Sequence, residues 1–161
     1  WLHAFFGVLV ANHLKLFKSI HSVGRSTIGE YLFPISMVVL ALLFRNTVIF
    51  AAAMLELGVA DGLAAVIGTR YGKKTVFKVL GHKKSKHGTA TFVLCSVAVM
   101  SWAIYSLNPA LAGASLVSML VTFLLALGVS LILTVLELFG IRGIDNVTVP
   151  FATAISLYLL K

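Results

Sequence analysis

The chain has 161 residues, of which 60% are hydrophobic and only 11% are charged, and its mean hydropathy is +1.03. Ordinary soluble domains carry about 25% charged residues, so this composition excludes a water-soluble globular fold and indicates an integral membrane protein. The net charge of +8 does not indicate nucleic-acid binding, because that function needs a basic face on a solvated domain and the sequence offers no such domain.

Apolar runs close to the ~20 residues that cross a ~30 Å hydrocarbon core recur along the chain. We therefore expect an all-α, polytopic membrane helix bundle with about six transmembrane helices, in which residues 1–161 form a single domain. The sequence opens on Trp1 rather than Met, which suggests that the start of the domain is missing. The predicted spans cover residues 1–14, 28–44, 47–68, 88–107 and 114–139, followed by a turn at 140–143 and a sixth span that ends at 161.

Polar segments separate these spans. Arg45-Asn46 predicts a tight turn between the second and third spans. Between the third and fourth spans we expect a basic loop from Arg70 to Lys86, with Gly72 and Gly81 as helix stops. Alternation of the spans then places every Lys and Arg except Arg45 and Lys161 on one side of the bilayer. The positive-inside rule assigns that side to the cytoplasm.

The acidic residues are few, and the predicted topology opens all of them toward the basic side. They are Glu30, Glu56, Asp61, Glu137 and Asp145. A carboxylate at the bilayer centre costs about 2.5–3.5 kcal/mol on insertion scales, so these groups need cations, water or a metal as compensation. Asp61 precedes Gly68 by about two helical turns, or ~10 Å of rise, and can meet a ligand that arrives from the cytoplasm.

Small residues share one face of the third helix with Asp61, namely Ala64, Ala65, Gly68 and Gly72. Close helix packing is the simpler interpretation of the small residues, as in the pairs Gly58 with Gly62 and Ala60 with Ala64. It does not account for the carboxylate.

The fifth helix has a polar face that we expect to point inward. Its members are Ser115, Ser118, Thr122, Ser130, Thr134 and Glu137. Back-bonding to the helix explains the hydroxyl groups but not Glu137.

The basic loop combines glycines with Lys73, Lys74, Lys78, Lys83, Lys84 and Lys86. Such a loop suits a polyphosphate, because lysines neutralise phosphate and glycine N–H groups can approach it, and Gly88-Thr89 at the start of the fourth helix adds an anion site. A solvated loop that binds anionic lipid headgroups is the alternative. Carboxylates facing the loop favour a metal–nucleotide site instead. His82 and His87 lack the companions that a zinc site needs, and Cys95 is the only cysteine.

Three segments together resemble the CTP-dependent lipid-alcohol kinases, the family of dolichol kinase, phytol kinase and yeast-type diacylglycerol kinase. Ala60–Gly72 is similar to the family's Asp-x-x-Ala-x-x-x-Gly-x-x-x-Gly stretch. Lys84–Thr89 resembles its Lys-Ser/Thr-x-Glu-Gly-Ser/Thr loop, and Glu137 with Gly143–Pro150 resembles its closing Glu and Asp-Asn-x-x-Val-Pro signature. Arg25–Pro34 is similar to an earlier Arg and Gly-Glu-x-x-Phe-Pro region.

The resemblance implies transfer of the γ-phosphate of CTP to a membrane lipid alcohol at a cytoplasmic-face site with Mg²⁺. Asp61, Glu137 and Asp145 would hold the metal, and Asp61 would also accept the hydroxyl proton. The residues expected to bind the nucleotide are Lys83, Lys84, Ser85, Gly88, Thr89, Arg70 and Lys73. Secondary contacts are expected from Arg25, Glu30, Asn146 and His87.

Two departures from related patterns bear on this assignment. His87 stands where the family usually has Glu, which removes a carboxylate from the second motif. The related phosphatidate cytidylyltransferases carry paired C-terminal acids that Gly143-Ile-Asp-Asn146 does not reproduce, which favours a kinase over formation of a CDP-lipid. The alternatives from other classes are a small ion or solute transporter and a non-catalytic scaffold that binds anionic lipid.

Overall fold

The computed structural model describes residues 29–111, 115–140 and 143–161, so the predicted first span and Arg25 lie outside the described residues. The helices are α1 (Gly29–Leu43), α2 (Thr47–Leu55), α3 (Gly62–Tyr71), α4 (Lys86–Leu107), α5 (Leu116–Phe139) and α6 (Asp145–Leu160). A π-helical segment, Glu56–Asp61, joins α2 to α3, and a 3₁₀ turn, Gly72–Lys74, follows α3. Two short strands, β1 (Val76–Val79) and β2 (His82–Ser85), precede α4.

Among the described residues, three helical stretches are long and apolar enough to cross a membrane: Thr47–Lys74, Lys86–Leu107 and Leu116–Phe139. These match the third, fourth and fifth predicted spans and confirm a helical membrane protein. Their outer surfaces are apolar, with Leu94 and Leu116 exposed by 72% and 85%, as lipid-facing positions should be. The helices α1 and α6 have 15 and 16 residues, fewer than the ~20 that cross a bilayer, so the count of six remains a prediction.

The turn predicted at Arg45-Asn46 is confirmed by the start of α2. The Asn46 side chain accepts hydrogen bonds from the backbone N–H groups of Val48 at 2.9 Å and Ile49 at 3.2 Å, which satisfies two free donors at the helix start. From there the chain stays helical to Tyr71, and the wider π-helical turn places Asp61 at the junction with α3. Segments of this kind are frequent at functional sites.

The core surrounds α4, which packs against α3, α5 and the π-helical segment. Phe92, Met100 and Ile104 on α4 are fully buried, and α6 packs against α1, α2 and α5. The predicted inward face of α5 is confirmed at five positions, which are the buried residues Ser118, Thr122, Ser130, Thr134 and Glu137. Ser115 is instead exposed and accepts a hydrogen bond from the Ser118 N–H as the N-cap of α5.

Small residues pack helices together at only some of the predicted positions. Ala60 and Ala64 are buried, as expected. The predicted packing of Gly58 with Gly62 is wrong, because a Cβ at either position would meet no other atom within 4 Å.

The basic segment is not the simple loop that we predicted. Val76–Val79 and His82–Ser85 form an antiparallel hairpin in which Val76 pairs with Ser85 and Val79 with His82. The turn residues Leu80 and Gly81 have φ angles of 47° and 82°, the positive values that a type I′ hairpin turn requires at both central positions. Gly81 therefore makes a hairpin turn rather than a helix stop.

Candidate active site

A cavity of about 540 Å³ lies where α3, the hairpin, the start of α4, the end of α5 and the start of α6 meet. Its charged lining residues are the carboxylates Asp61, Glu137 and Asp145 and the lysines Lys73, Lys83 and Lys84. Its remaining lining residues are small or apolar or bear hydroxyl groups, namely Ala64, Ala65, Gly68, Thr69, Val76, Ser85, Gly88 and Thr89. Charged groups of both signs, drawn from distant parts of the sequence, therefore share one space.

Two carboxylates reach the cavity through the connection between α5 and α6. Glu137 lies in the last turn of α5, and Asp145 is the first residue of α6. Gly140 makes this arrangement possible, because a Cβ there would lie 2.5 Å from the Cβ of Asp145 and 3.0 Å from its Oδ2. Asp61 enters from the end of the π-helical segment, just before α3, and is close enough to interact electrostatically with both carboxylates.

Lys84 forms an ion pair with Glu137 across the cavity. Its Nζ also donates a hydrogen bond of 3.0 Å to the backbone carbonyl of Glu137, near the negative end of the α5 dipole. The Glu137 side chain is only 8% exposed, and its Oε2 is buried without a hydrogen-bond partner. A buried carboxylate oxygen left this way is costly unless a ligand or cation compensates it.

Glycines in two of the recognised motifs bring the hairpin against α3. A Cβ on Gly68 would lie 2.8 Å from Ser85 Oγ, and a Cβ on Gly72 would overlap the Ser85 side chain. A Cβ on Gly88 would lie 2.9 Å from the carbonyl oxygen of Ala64. These positions hold glycine because α3 and the start of α4 approach so closely.

Ser85 links the hairpin to α4. Its Oγ accepts a hydrogen bond of 3.1 Å from the Gly88 N–H and caps the helix. We expected the Gly88 N–H to be available to phosphate, but Ser85 already engages it. Gly88 lines the cavity as a small wall residue.

Two residues expected near the nucleotide lie outside the cavity lining. Arg70 is exposed, and its guanidinium lies 5.5 Å from the ring centre of the neighbouring Tyr71. His87 is also exposed, with its Nδ1 2.8 Å from Thr75 Oγ1. That contact ties the first turn of α4 to the residue before the hairpin, so the imidazole has a structural partner where the family usually has a carboxylate.

Asn146 joins two helices rather than lining the cavity. Its side-chain amide donates a hydrogen bond of 2.9 Å to the carbonyl of Gly29 at the start of α1. Gly143, three residues before Asn146, has a φ of +91° and lies so close to Gly29 that a Cβ on Gly143 would overlap the Gly29 backbone. The predicted secondary residue Arg25 lies outside the described residues, and for Glu30 the structure describes only the helical backbone.

A comparison with curated proteins found a phytol kinase from Synechocystis sp. (strain ATCC 27184 / PCC 6803 / Kazusa) that is 32% identical over 165 aligned positions. The match covers 96% of this chain. This match supports assignment of the chain to the lipid-alcohol kinase family that its three motifs resemble. The chain spans 66% of the length of that relative. No family model matches the chain, and no solved structure matches it.

Sequence reasoning missed two residues that line the cavity, Thr69 and Val76. Thr69 had a signal, because Asp61, Ala65 and Thr69 follow one another at four-residue intervals and therefore share a helix face. Val76 had none, because its position depends on the hairpin.

The fit of the cavity to a magnesium ion rests on Glu137. Within the described ranges, no three His, Cys, Asp or Glu side chains cluster tightly enough to hold a metal by themselves. Mg²⁺ usually takes one or two protein carboxylates and completes its shell with water and substrate phosphates. The unpartnered Glu137 Oε2, with Asp61 and Asp145 on the same cavity, fits this open type of site.

Proposed function

We propose that this protein transfers the γ-phosphate of CTP to the hydroxyl group of a membrane lipid alcohol such as phytol, a polyprenol, dolichol or diacylglycerol. One observation carries the proposal, which is the cavity that collects Asp61, Glu137 and Asp145 beside Lys73, Lys83 and Lys84. The relationship to a phytol kinase supports a lipid alcohol as the acceptor. CTP as the donor follows from the motif resemblance of the sequence.

In the proposed reaction, the acceptor oxygen forms a bond to the γ-phosphorus while the bond from that phosphorus to the β–γ bridging oxygen breaks, releasing CDP. The acceptor proton passes to Asp61, which lies where the membrane-spanning helix opens into the cavity. The lysines on the hairpin side hold the phosphates and offset their charge. The lipid chain remains among the apolar helices.

One or two of the carboxylates Asp61, Glu137 and Asp145 would hold Mg²⁺, which when bound would neutralise charge on the phosphate oxygens. Ser85 and Thr89 line the same cavity and provide neutral hydrogen-bonding groups for the nucleotide. We expect turnover to stop after treatment with EDTA and to return with added Mg²⁺. Activity that persists in the absence of divalent ions would remove the metal from the proposal.

We further propose that the cavity opens to the cytoplasm. The lysines of the hairpin lie at the end of the bundle that carries the excess of positive charge, and the positive-inside rule places such an excess on the cytoplasmic side. A cysteine introduced at Lys74, an exposed residue of the 3₁₀ turn before the hairpin, should react with a membrane-impermeant maleimide only in inside-out vesicles. Labelling of right-side-out vesicles instead would reverse the orientation.

The test of the reaction uses the purified protein in nanodiscs with γ-labelled CTP, Mg²⁺ and each candidate lipid alcohol. A kinase places the label on the lipid, whereas cytidylyl transfer releases it as pyrophosphate and a transporter or scaffold leaves the nucleotide intact. Asp61→Asn should abolish labelling. Glu56→Gln is the matched control, because it makes the same change in the same span at a buried residue that does not line the cavity.

The outcome depends on both variants folding. Gel-filtration profiles and thermal unfolding midpoints in detergent should be the same for Asp61→Asn and Glu56→Gln. Labelled lipid at the unmutated rate from folded Asp61→Asn would exclude Asp61 from the chemistry. No labelled lipid from the unmutated protein with any acceptor would overturn the proposed function.

A further inference from the structure

The hairpin places two lysines directly opposite each other. The register pairs Lys78 on β1 with Lys83 on β2. Directly opposed residues in an antiparallel pair have Cβ atoms only about 4.5–5.5 Å apart, and like charges at such positions are destabilising. In the described part of the chain, neither ammonium group forms an ion pair or a hydrogen bond. The neighbouring Lys84 does form an ion pair, with Glu137.

Both lysines lie on a hairpin face that contributes three residues to the cavity wall. Side chains alternate along a strand, and opposed residues point to the same side, so Val76, Lys78, Lys83 and Ser85 share one face. Val76, Lys83 and Ser85 line the cavity. Lys78 lies on the same face directly opposite Lys83, is exposed, and is not itself a lining residue.

The lysine charges of the hairpin are separated in a way that suits an extended anion. Lys84 lies on the opposite face of β2 from Lys83, and Glu137 neutralises it next to the other carboxylates of the cavity. The pair Lys78–Lys83 lies farther out, toward the turn, with no counter-charge among the residues of the hairpin. A single phosphate can occupy one end of this arrangement, whereas a chain of phosphates can extend from the carboxylate end to the lysine pair.

We propose that Lys78 and Lys83 form a clamp for a polyphosphate chain, with Lys78 as an additional binding residue at the mouth of the cavity. The proposal rests on the proposed function, because it identifies the chain as the phosphates of the nucleotide. Bound phosphate oxygens bridge the two ammonium groups and convert their mutual repulsion into binding. An anionic lipid headgroup offers the same phosphate chemistry, and the experiment must separate the two sources.

The experiment measures equilibrium binding to the full chain in nanodiscs made of neutral lipid, with magnesium tripolyphosphate and inorganic phosphate as probes. Lys78→Gln should weaken tripolyphosphate binding about tenfold, the effect of losing one charge-assisted hydrogen bond, and leave inorganic phosphate binding unchanged. Lys78→Arg should retain most of the affinity. Lys74→Gln is the control, because Lys74 is an exposed lysine outside both the hairpin and the cavity lining.

A second measurement, thermal unfolding, tests the repulsion between Lys78 and Lys83. Without ligand, Lys78→Gln should raise the thermal unfolding midpoint relative to Lys74→Gln, and saturating tripolyphosphate should reverse that order. A third arm compares the two variants in binding to phosphatidylglycerol vesicles, where we expect equal affinity. Vesicle binding that falls only in Lys78→Gln, with tripolyphosphate binding unchanged, would assign the pair to lipid headgroups and overturn the clamp.

These outcomes separate the clamp from the kinase activity. Equal tripolyphosphate affinities of Lys78→Gln and Lys74→Gln overturn the clamp even if the protein phosphorylates lipid. A tenfold loss specific to Lys78→Gln supports the clamp even if no lipid acceptor is found. If the kinase reaction proceeds, Lys78→Gln should raise the KM for CTP about tenfold while kcat changes little.

Discussion

Replacement of Gly88 by alanine tests whether the close contact between α3 and α4 shapes the cavity. The added Cβ would lie 2.9 Å from the Ala64 carbonyl oxygen, 3.1 Å from Ser85 Oγ and 3.3 Å from the Gly68 Cα. Two of these three atoms belong to backbone, so the conflict cannot be relieved by rotating a side chain. Helices α3 and α4 must move apart.

The expected change in the free energy of unfolding is the difference between two opposing effects. A helical Gly→Ala change ordinarily stabilises by about 0.5–1 kcal/mol, whereas overpacking costs about 1–3 kcal/mol. Because the closest contact is to a backbone atom, the overpacking effect should be the larger one and the net loss about 1–2 kcal/mol. Displacement of Ser85 also shifts the hairpin lysines, so nucleotide turnover should fall on the order of 10–100-fold.

Thermal unfolding in detergent and the lipid-labelling assay measure these two effects in the same preparation. Gly128→Ala on α5 is the control, because a Cβ there meets no atom within 4 Å and should leave stability unchanged or slightly increased. Equal unfolding midpoints and equal turnover for the two variants would refute the account of Gly88 as a contact that the cavity requires.

Three further substitutions test individual contacts. Lys84→Gln should destabilise the fold by about 1–3 kcal/mol, because Glu137 loses the cation that faces it in a largely buried position. Ser96→Ala should cost about 1–3 kcal/mol, because it removes the 3.0 Å hydrogen bond to the buried carboxylate of Glu56, while the KM for nucleotide should stay the same. Asn46→Ala should cost about 1 kcal/mol through loss of the α2 cap. Thermal unfolding in detergent measures all three.

Two of these substitutions, Lys84→Gln and Ser96→Ala, have a matched comparison. Lys74→Gln removes an exposed lysine, so equal effects of Lys74→Gln and Lys84→Gln would contradict the role of the ion pair. Ser106 is an exposed helical serine whose hydroxyl bonds only to its own helix, so Ser106→Ala should be nearly neutral. If Ser106→Ala lowers stability as much as Ser96→Ala does, then losing the hydrogen bond to the buried Glu56 carboxylate has no particular cost.

The sequence predicted the long helices well because their signal is local. The apolar runs predicted the bounds of α4 and α5 to within about two residues. Leu107 and Phe139 are the last residues of these helices in both the prediction and the structure. The polar face of α5 was also predictable, because helical periodicity alone places Ser130, Thr134 and Glu137 on one side. Charge patterning indicated that carboxylates and lysines would meet at one end.

The hairpin was harder to predict because its strands have four residues each and one of them contains two adjacent lysines. Val76, Phe77 and Val79 are good strand formers before a glycine turn, but the density of lysines indicates a solvated loop equally well. The pairing of Lys78 with Lys83 depends on the strand register, which only the structure supplies. For the same reason, the Lys84–Glu137 ion pair was not predictable as a specific contact.

A comparison of two buried glutamates shows why an acid in an apolar helix does not by itself mark a functional site. Glu56 and Glu137 each have one carboxylate oxygen with a hydrogen-bond partner and one buried oxygen without. Glu56 is fully enclosed and is hydrogen-bonded by Ser96, a neutral group, so it has no route to a nucleotide. Glu137 faces a lysine and borders an open cavity, so its unpartnered oxygen can be compensated by an arriving ligand. A helical pattern gives the burial of both residues but not the partner across the bundle. The distinction therefore depends on tertiary contacts that link residues 40 and 53 positions apart.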